Sequence, residues 1–386
     1  MKYTRRQSLS FFGATSLFSV LPSSYLNAAI ASKYLILVEL QGANDGLNTV
    51  IPYSDRNYYK LRPSIGIPKK DILTISENVG LHFSLKGLAK IYETGELKIV
   101  QNLGYPNPVL SHFRSIELWE TGGDGKAKGR NGWLNDSLEL IGNQRNLDGK
   151  AIYLDQSGDV FRGGLDGFYG PNSIGFAAAE LEARDQTVPV PETFGLLADL
   201  MQGRKQNSEK LKQIQNKLSG ANRFSSVGRG NLGAQLSKVC NILSKGVNIP
   251  VLKVAIGSFD THSEQFWRHR DLLRELDESL YETVQALQNI GIWNDTVIMT
   301  YSEFGRRAAE NGSRGTDHGM AAPHFLMGGK LKGGFVGEVP NLGRLRNNNL
   351  EFEIDYRTVY ETVLREHFGL DDNPFQKYHN KGLFSL

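Results

Sequence analysis

The chain has a single cysteine, Cys240, among its 386 residues. One thiol cannot form an intramolecular disulfide, and it cannot supply the paired thiolates of a cysteine-based structural zinc site. A long low-complexity tract and a clear internal repeat are also missing from the sequence. Hydrophobic residues make up 40% and charged residues 22% of the chain, so the composition is typical of a globular protein with a sizeable core.

The sequence lacks an excess of basic residues once residues 1–31 are set aside. That segment contains Lys2, Arg5 and Arg6 but no acid, so 41 of the 44 basic residues remain and match the 41 acidic residues. Binding to nucleic acid usually requires a basic excess or a stripe of Lys and Arg, so we expect no nucleic-acid partner. No later run reaches the roughly 20 apolar residues of a membrane span, so none is predicted in the mature chain.

Residues 1–31 have the features of an export signal. TRRQSL places adjacent arginines before a modest apolar stretch, and Ala29-Ile30-Ala31 offers a small-residue cleavage site. The pattern resembles a twin-arginine signal, although Ser8 and Ser10 stand where that signal prefers Phe and Lys. The alternatives are an ordinary Sec signal or a retained amphipathic start. The resemblance implies export by the twin-arginine machinery to the periplasm or medium, with one domain over residues 32–386.

Short continuous apolar runs alternate with helical patterns along the rest of the chain. Such runs are typical of strands that are buried on both faces of a parallel sheet. They cover residues 34–40, 97–101, 251–257, 296–302 and 324–329, and the clearest helical pattern covers residues 264–290. This alternation predicts an α/β fold, a three-layer αβα sandwich around a large, mostly parallel sheet. Ligands bind outside the carboxyl ends of the strands in such sheets.

Two predicted strands are followed by loops with unusual polar residues. Asp45 follows the first strand in GANDGLN, where an acid is most often a turn former. Ser111 and His112 follow two prolines and precede a helical pattern, so Ser111 is a natural N-cap. A hydroxyl at a helix start also lies among free backbone N–H groups that favour an anion, so Ser111 is a candidate nucleophile as well.

Two further loops carry acids and histidines. Asp260 and His262 are two residues apart after the strand VLKVAIG, so an extended segment would direct both to one side. Glu303 follows the strand TVIMT, and Asp317 and His318 follow a glycine-rich turn. Carboxylates and imidazoles brought together suit Zn²⁺ or a similar divalent ion. Because all these loops follow predicted strands, we expect them to converge on one crevice; helix capping is the alternative reading of Asp260.

Five motifs occur in the order GANDGLNTVIPY, YPNPVLSHFRS, FDTHSEQ, YSEFGRRAAENGS and GTDHGMAAP. Together with the signal, they resemble the bacterial domain-of-unknown-function family 1501, a branch of the alkaline phosphatase and sulfatase superfamily. The resemblance spans nearly all of the mature chain. It implies an alkaline-phosphatase-like fold, one or two divalent metal ions (Zn, Mg, Mn or Ca), and a nucleophile near the strand ends.

The resemblance also implies roles for individual residues. Asp45 looks like the first-strand metal ligand, Asp260 and His262 like a pair that binds one ion, and His318 like the last histidine ligand. Glu303 and Phe304 stand where the enzymes have an Asp-His pair, so the second ion would lose an imidazole. A carboxylate-rich site of that kind suits a hard ion such as Mg²⁺, Ca²⁺ or Mn²⁺, or no ion.

Two alternatives stay open for the nucleophile and two for the function. The superfamily spacing points to His112 as the nucleophile, whereas chemistry favours Ser111; His112 is otherwise a ligand or base. With Arg114 or Arg306 clamping the oxygens, the resemblance implies a metal-dependent hydrolase of a small anionic phosphate or sulfate ester. The alternative is a non-catalytic exported binding or assembly protein with a degenerate metal site.

Overall fold

The computed structural model describes residues 33–142, 147–164, 166–171, 195–380 and 386, with only the backbone for residues 142 and 195–206. The predicted signal at residues 1–31 lies outside these ranges and stays a prediction. In the ranges just given, no helix is both long enough and apolar enough to cross a membrane.

Strands and helices alternate through much of the described chain. The strands are β1 (Tyr34–Leu40), β2 (Val50–Ile51), β3 (Leu73–Thr74), β4 (Gly80–Leu81), β5 (Leu97–Gly104), β6 (Ala151–Tyr153), β7 (Phe168–Tyr169), β8 (Val251–Ile256), β9 (Thr296–Tyr301), β10 (Gly305–Arg306), β11 (His318–Gly319), β12 (Ala322–Gly328), β13 (Gly334–Val336) and β14 (Ile354–Asp355). The α-helices are α1 (Arg56–Leu61), α2 (Lys86–Glu93), α3 (His112–Thr121), α4 (Trp133–Gly142), α5 (Gly195–Leu218), α6 (Gly230–Ser244), α7 (Gln265–Ile290) and α8 (Tyr356–Thr362).

A nine-stranded sheet forms the centre of the fold. Its order is β13-β5-β12-β9-β1-β8-β6-β7, and β14 also pairs with β5. Strand β1 pairs in parallel with β8 and β9, whereas β12 runs antiparallel to both of its neighbours, β5 and β9. The structure therefore confirms the predicted large, mostly parallel sheet and all five of its predicted strands.

Helices cover both faces of this sheet. Leu35 and Leu37 of β1 pack in one hydrophobic cluster with Trp119 of α3, whereas Ile36 and Val38 pack in another that includes side chains of α2, α6 and α7. Successive strand residues point to opposite faces, which is why the run YLILVEL is apolar at nearly every position. The predicted three-layer αβα architecture is confirmed. It brings the loops that follow β1, β8 and β9 to one edge of the sheet.

Candidate metal centre

The candidate metal centre lies at the carboxyl ends of the central strands. Asp260 and His262 belong to the loop between β8 and α7. His318 lies on the short strand β11, which pairs with β10 just beyond β9. His112 is the first residue of α3, which follows β5. Three separate parts of the chain thus deliver imidazoles and a carboxylate to one place.

His318 lies at the middle of this group. Its Nε2 is 3.1 Å from Nε2 of His112 and 3.0 Å from Nε2 of His262. Oδ1 of Asp260 is 3.6 Å from Nε2 of His112, 3.6 Å from Nε2 of His318 and 3.0 Å from Nε2 of His262. We call these four side chains the His/Asp cluster.

The outer ring nitrogens of two histidines have fixed hydrogen-bond partners. Nδ1 of His112 donates to Oε1 of Glu303 at 3.1 Å, and Nδ1 of His318 donates to the Leu110 carbonyl oxygen at 2.8 Å. When both rings are neutral and donate through Nδ1, each Nε2 carries a lone pair instead of a proton. These two Nε2 atoms face each other at 3.1 Å. Two lone pairs at that distance repel unless a proton or a cation lies between them.

The surroundings shift the pKa values of the two rings in opposite directions. The hydrogen bond to Glu303 raises the pKa of His112, whereas burial lowers the pKa of His318. The carboxylate of Asp317 lies 3.5 Å from Nδ1 of His262, so each histidine of the His/Asp cluster has an oxygen facing its outer nitrogen. This pattern of outer oxygens is the one that orients metal-binding histidines.

The spacing of the inner atoms fits one metal ion. An ion with tetrahedral ligands at about 2.0–2.1 Å, as for zinc, separates those ligands by about 3.3 Å. The ligand atoms of His112, Asp260 and His318 are 3.1 and 3.6 Å apart, and all of them lie within 4.8 Å of one another. These three residues can therefore hold an ion, whereas Nε2 of His262 contacts His318 and Asp260 from outside this group.

Glu303 is held in a cradle of hydrogen-bond donors beneath the cluster. Its carboxylate accepts from the backbone N–H groups of Gly42 and Ala43 at 2.8 and 2.9 Å and from the Ser302 hydroxyl at 2.8 Å. Burial alone would raise the pKa of Glu303, but the bond from His112 and these donors hold that pKa below its ordinary value. Gly42 has φ +101°, and a Cβ there would lie 2.5 Å from the backbone nitrogen of Asp260, so the turn requires glycine.

Arg306 fixes Asp260 from the buried side. Its Nη2 donates to Oδ1 of Asp260 at 2.6 Å, and its other donors bind carbonyl oxygens that include those of Ala43 and Thr316. Burial would raise the pKa of Asp260, but the guanidinium outweighs that effect and holds the pKa low. Asp260 is therefore an ionised, oriented carboxylate.

The family of the chain follows from comparison with known families. The model of the family described as "Protein of unknown function (DUF1501)" matches residues 92–386. The chain belongs to this family. No curated protein matches the chain closely enough to count as a relative.

Several solved structures are similar to the chain at low identity. The lipoteichoic acid synthase LtaP from Listeria monocytogenes is 13% identical, with 92% of this chain and 77% of that chain covered and a TM-score of 0.42. A protein in the alkaline phosphatase superfamily from Vibrio parahaemolyticus is 12% identical over 81% of this chain and 64% of that chain, at a TM-score of 0.38. The C-terminal periplasmic domain of EcEptC from Escherichia coli, in a complex with Zn, is 11% identical over 78% of this chain and 73% of that chain, at 0.35.

Asp45, predicted as a metal ligand, lies outside the His/Asp cluster. Its carboxylate is fully buried, and Arg62 donates to both of its oxygens at 2.6 and 2.9 Å. Gln265 donates to it as well. Burial would raise the pKa of Asp45, but the Arg62 guanidinium outweighs burial and holds that pKa below its ordinary value. The carboxylate is therefore ionised, and its charge is already neutralised by Arg62. The loop after β1 contributes backbone N–H groups to the site in place of this side chain.

Two other predicted ligands lie one layer further out. Glu303 binds Nδ1 of His112, and Asp317 faces Nδ1 of His262, so each carboxylate contacts a histidine rather than the centre of the cluster. His112, which the sequence left open as nucleophile, base or ligand, is the residue that directs a nitrogen inward. The sequence predicted a site rich in carboxylates, whereas three of the four side chains in the His/Asp cluster are imidazoles.

The two arginines predicted to clamp a substrate differ in their contacts. Arg306 is 2% exposed and bound to Asp260 and backbone carbonyls, so its donors are not open to a substrate. Nη1 of Arg114 pairs with Glu117 at 2.8 Å on the surface of α3. Phe304 is buried, and its ring packs 4.9 Å from that of His112 and 4.6 Å from that of His318. Phe304 therefore covers one side of the cluster.

Sequence reasoning missed the residues that support this arrangement. Arg62 neutralises Asp45, and Gln265 bridges Asp45 to the hydroxyl groups of Thr261 and Thr316. The Leu110 carbonyl could not be identified from any side chain. The one signal in the sequence was an arginine 17 residues after Asp45. The helix before this arginine is too short to show by its pattern whether the arginine is buried or on the surface.

We expect Glu303→Gln to weaken metal binding about 10- to 100-fold, the usual effect of losing a partner of a metal-binding histidine. An amide offers one acceptor oxygen, so it cannot satisfy the Gly42 and Ala43 N–H groups and also fix the His112 tautomer. Chelator competition measures the affinity. Glu310→Gln is the matched control, because Glu310 also accepts from backbone N–H groups but lies outside the cluster. Equal affinity in the Glu303 and Glu310 variants would contradict the role of Glu303.

Proposed function

We propose that the chain is a metal-dependent hydrolase of phosphate or sulfate esters, exported to the periplasm or medium. The observation that carries the proposal is the convergence of Nε2 of His112, Nε2 of His318 and Oδ1 of Asp260 at separations of 3.1–3.6 Å. Such a ligand set favours Zn²⁺ or another borderline ion over Mg²⁺ or Ca²⁺, which prefer oxygen.

His112, Asp260 and His318 would hold the ion. A bound divalent ion supplies Lewis acidity, which neutralises the charge that develops on an ester oxygen and lowers the pKa of an attacking hydroxyl. The donors of Arg306 are bound to Asp260 and backbone carbonyl oxygens, so of the predicted pair Arg114, with one surface ion pair to Glu117, is the arginine that would bind a substrate oxygen. Asp260 and His262 have side chains that are 46% and 44% exposed, so the cluster is open to solvent and to a substrate.

Ser111 is the candidate nucleophile. It precedes His112 at the start of α3, is exposed, and does not cap the helix with its side chain. Within the described ranges its hydroxyl makes no hydrogen bond, so no bond has to break before it attacks. Attack at phosphorus or sulfur would form the Ser111 ester and release the alcohol, whose oxygen takes up the hydroxyl proton. Water would then hydrolyse the Ser111 ester, which releases phosphate or sulfate and restores the hydroxyl.

A cleft whose lining includes Met320, two residues after His318, would offer room for the alcohol part of the ester. Its volume is about 920 Å³, and Asn107, Met320, Arg344 and Phe352 are among its lining residues. Met320 follows His318 by two residues, so their Cα atoms lie within about 7 Å of each other. The size lies within the range of small-molecule sites, which favours an ester of an alcohol larger than the acid group itself.

A non-catalytic binding or assembly role is the second candidate. It is favoured by Arg306, whose donors are bound to Asp260 and to backbone carbonyl oxygens and so cannot clamp a substrate. In that role the ion would hold the loops together and no bond would be broken.

Hydrolysis by the metal-loaded protein tests the proposed function. Phosphate monoesters, phosphate diesters and sulfate esters are screened with wild type, Ser111→Ala and the exposed-surface control Ser54→Ala. We expect one ester class to be hydrolysed, and loss of the nucleophile to lower kcat about 100-fold or more while metal content stays the same. Full activity of Ser111→Ala would assign the attack to water. Stoichiometric metal without hydrolysis of any class would favour the non-catalytic role.

A further inference from the structure

The Gln265 side chain joins three separate parts of the chain. It is fully buried at the start of α7, and its Oε1 accepts from the hydroxyl groups of Thr261 and Thr316 at 3.0 and 2.7 Å. Its Nε2 donates to the Asp45 carboxylate. These partners lie in the loop after β8, in the loop between β10 and β11, and in the loop after β1. One amide group therefore links three loops.

The chemistry of its partners fixes which way this amide faces. The Asp45 carboxylate accepts hydrogen bonds but donates none, because Arg62 keeps it ionised. The amide nitrogen of Gln265 therefore has to face the carboxylate. The amide oxygen then faces the hydroxyl groups of Thr261 and Thr316, which donate to it. In the opposite orientation, the amide oxygen would face the carboxylate and be repelled by it.

Both hydroxyl groups belong to chain neighbours of two candidate ligands. Thr261 directly follows Asp260, and Thr316 precedes His318 by two residues. The Thr316 N–H group also donates to the Thr261 carbonyl oxygen at 3.2 Å. The two hydroxyl bonds to Gln265 thus hold together the segments that carry Asp260 and His318. The facing atoms of these ligands, Oδ1 and Nε2, are 3.6 Å apart.

A metal ion is more sensitive to this separation than the fold is. Ligand distances in metal sites lie within about 0.2 Å of their preferred values. Loops, by contrast, vary in position more than the strands that they connect. Loss of the Gln265 amide would leave two buried hydroxyl groups and a carboxylate without their partner, and the loops would shift to satisfy them. Such a shift alters the ligand geometry before it alters the sheet.

We propose that Gln265 is a positioning residue of the metal centre, which sets the separation of Asp260 and His318 and thereby the affinity of the site for its ion. The inference rests on the metal centre of the proposed function, but it does not require that any ester is hydrolysed. The competing explanation is a glutamine that stabilises the fold and has no effect on the ion.

A matched pair of glutamine variants separates these two roles. Gln265→Met removes the amide that links the three loops. Gln235→Met is the control, because Gln235 is also buried and its amide binds backbone groups of Ala255 and Asn231 on and near β8 and α6 rather than the loops of the cluster. Circular dichroism confirms that each variant is folded.

A second pair removes one hydroxyl group at a time. Thr316→Val deletes one of the two donors to Gln265. Thr283→Val is its control, because the buried Thr283 hydroxyl donates to the Ser279 carbonyl oxygen within α7 at 2.7 Å. If Gln265→Met does not fold, the comparison of the two threonine variants decides in its place.

Chelator competition measures the zinc affinity of each folded variant, and denaturant titration of the zinc-free protein measures its free energy of unfolding. A loss of stability alone does not weaken zinc binding while nearly all of the protein is folded, because zinc then still meets an assembled site. The two measurements therefore report on the site and on the fold separately.

We expect Gln265→Met to weaken zinc binding about tenfold or more, the usual effect of losing an outer partner of a metal site. Thr316→Val should weaken it about three- to tenfold, because one hydroxyl bond remains. Both control variants should lose stability and bind zinc like wild type. Wild-type zinc affinity in Gln265→Met would overturn the inference, and so would an equal loss of affinity in the controls.

Failure of this inference can be distinguished from failure of the proposed function. Weaker zinc binding in Gln265→Met alone of the glutamine pair, together with no hydrolysis by wild type, would support the positioning role and reject the hydrolase. Hydrolysis by wild type with unchanged zinc affinity in Gln265→Met would do the reverse. Absence of zinc from folded wild type would reject both.

Discussion

His318→Ala is expected to abolish stoichiometric metal binding. Nε2 of His318 lies 3.0–3.6 Å from all three other ligand atoms of the cluster, so no other side chain replaces it. Removing an oxygen partner of such a histidine already lowers metal affinity by about 10- to 100-fold, and we expect loss of the histidine itself to exceed that range. Chelator competition gives the affinity, and elemental analysis gives the metal content.

Thermal unfolding provides an independent measure of the same change. A ligand at 100 times its dissociation constant stabilises the folded state by about 2.7 kcal/mol, so added zinc should raise the Tm of wild type. The shift should vanish in His318→Ala and persist in His379→Ala, which removes a partly exposed histidine outside the cluster. Equal shifts in all three proteins would show that the ion binds elsewhere.

Arg62→Leu is expected to destabilise the protein by about 3–5 kcal/mol, the cost of leaving a buried carboxylate without its partner. The side chains of Arg62 and Asp45 are 0% and 1% exposed, so water cannot replace the lost guanidinium. Denaturant unfolding measures the change in the free energy of unfolding. The double variant Arg62→Leu with Asp45→Asn should recover part of the loss, because the uncompensated charge is then removed.

The same pair predicts a dependence on pH. The pKa of Asp45 is lower in the folded protein than in the unfolded chain, so the unfolded state takes up its proton first as pH falls. The stability from this carboxylate is complete above the unfolded pKa of about 4 and is lost as pH falls toward the folded pKa. The difference in stability between wild type and the double variant should therefore shrink below about pH 4.

The metal content of these variants distinguishes a structural Asp45 from a ligand. We expect the folded double variant to bind one equivalent of zinc, because Asp45 contacts Arg62 and Gln265 rather than the cluster. A variant that folds with wild-type stability but binds no zinc would make Asp45 a ligand, as the family resemblance implied.

The sequence was sufficient to predict the layered fold and the convergence of the loops. Buried parallel strands need apolar residues on both faces, so a run such as YLILVEL can be recognised as a strand from its sequence. The carboxyl ends of these strands then define the edge of the sheet where ligands bind. Asp260, His262 and His318 were predicted as ligands and do lie together. Their coordination of an ion stays a prediction.

The distinction between inner and outer carboxylates could not be predicted from the sequence. Glu303 and Asp317 have the right chemistry and the right place in the chain, but a rotation of each side chain decides whether it faces an ion or a histidine. Backbone N–H groups of Gly42 and Ala43 hold Glu303 in the outer position. Such donors leave no trace in residue types, and Arg62 neutralises Asp45 through a contact that no motif encodes.

Anomalous diffraction at the zinc absorption edge, from crystals of the zinc-loaded protein, tests the metal centre most directly. We predict one peak, at about 2.0–2.2 Å from Nε2 of His112, Nε2 of His318 and Oδ1 of Asp260. A peak at Asp45, or stoichiometric zinc in the crystal with no peak between these three atoms, would contradict the metal centre on which the proposed function rests.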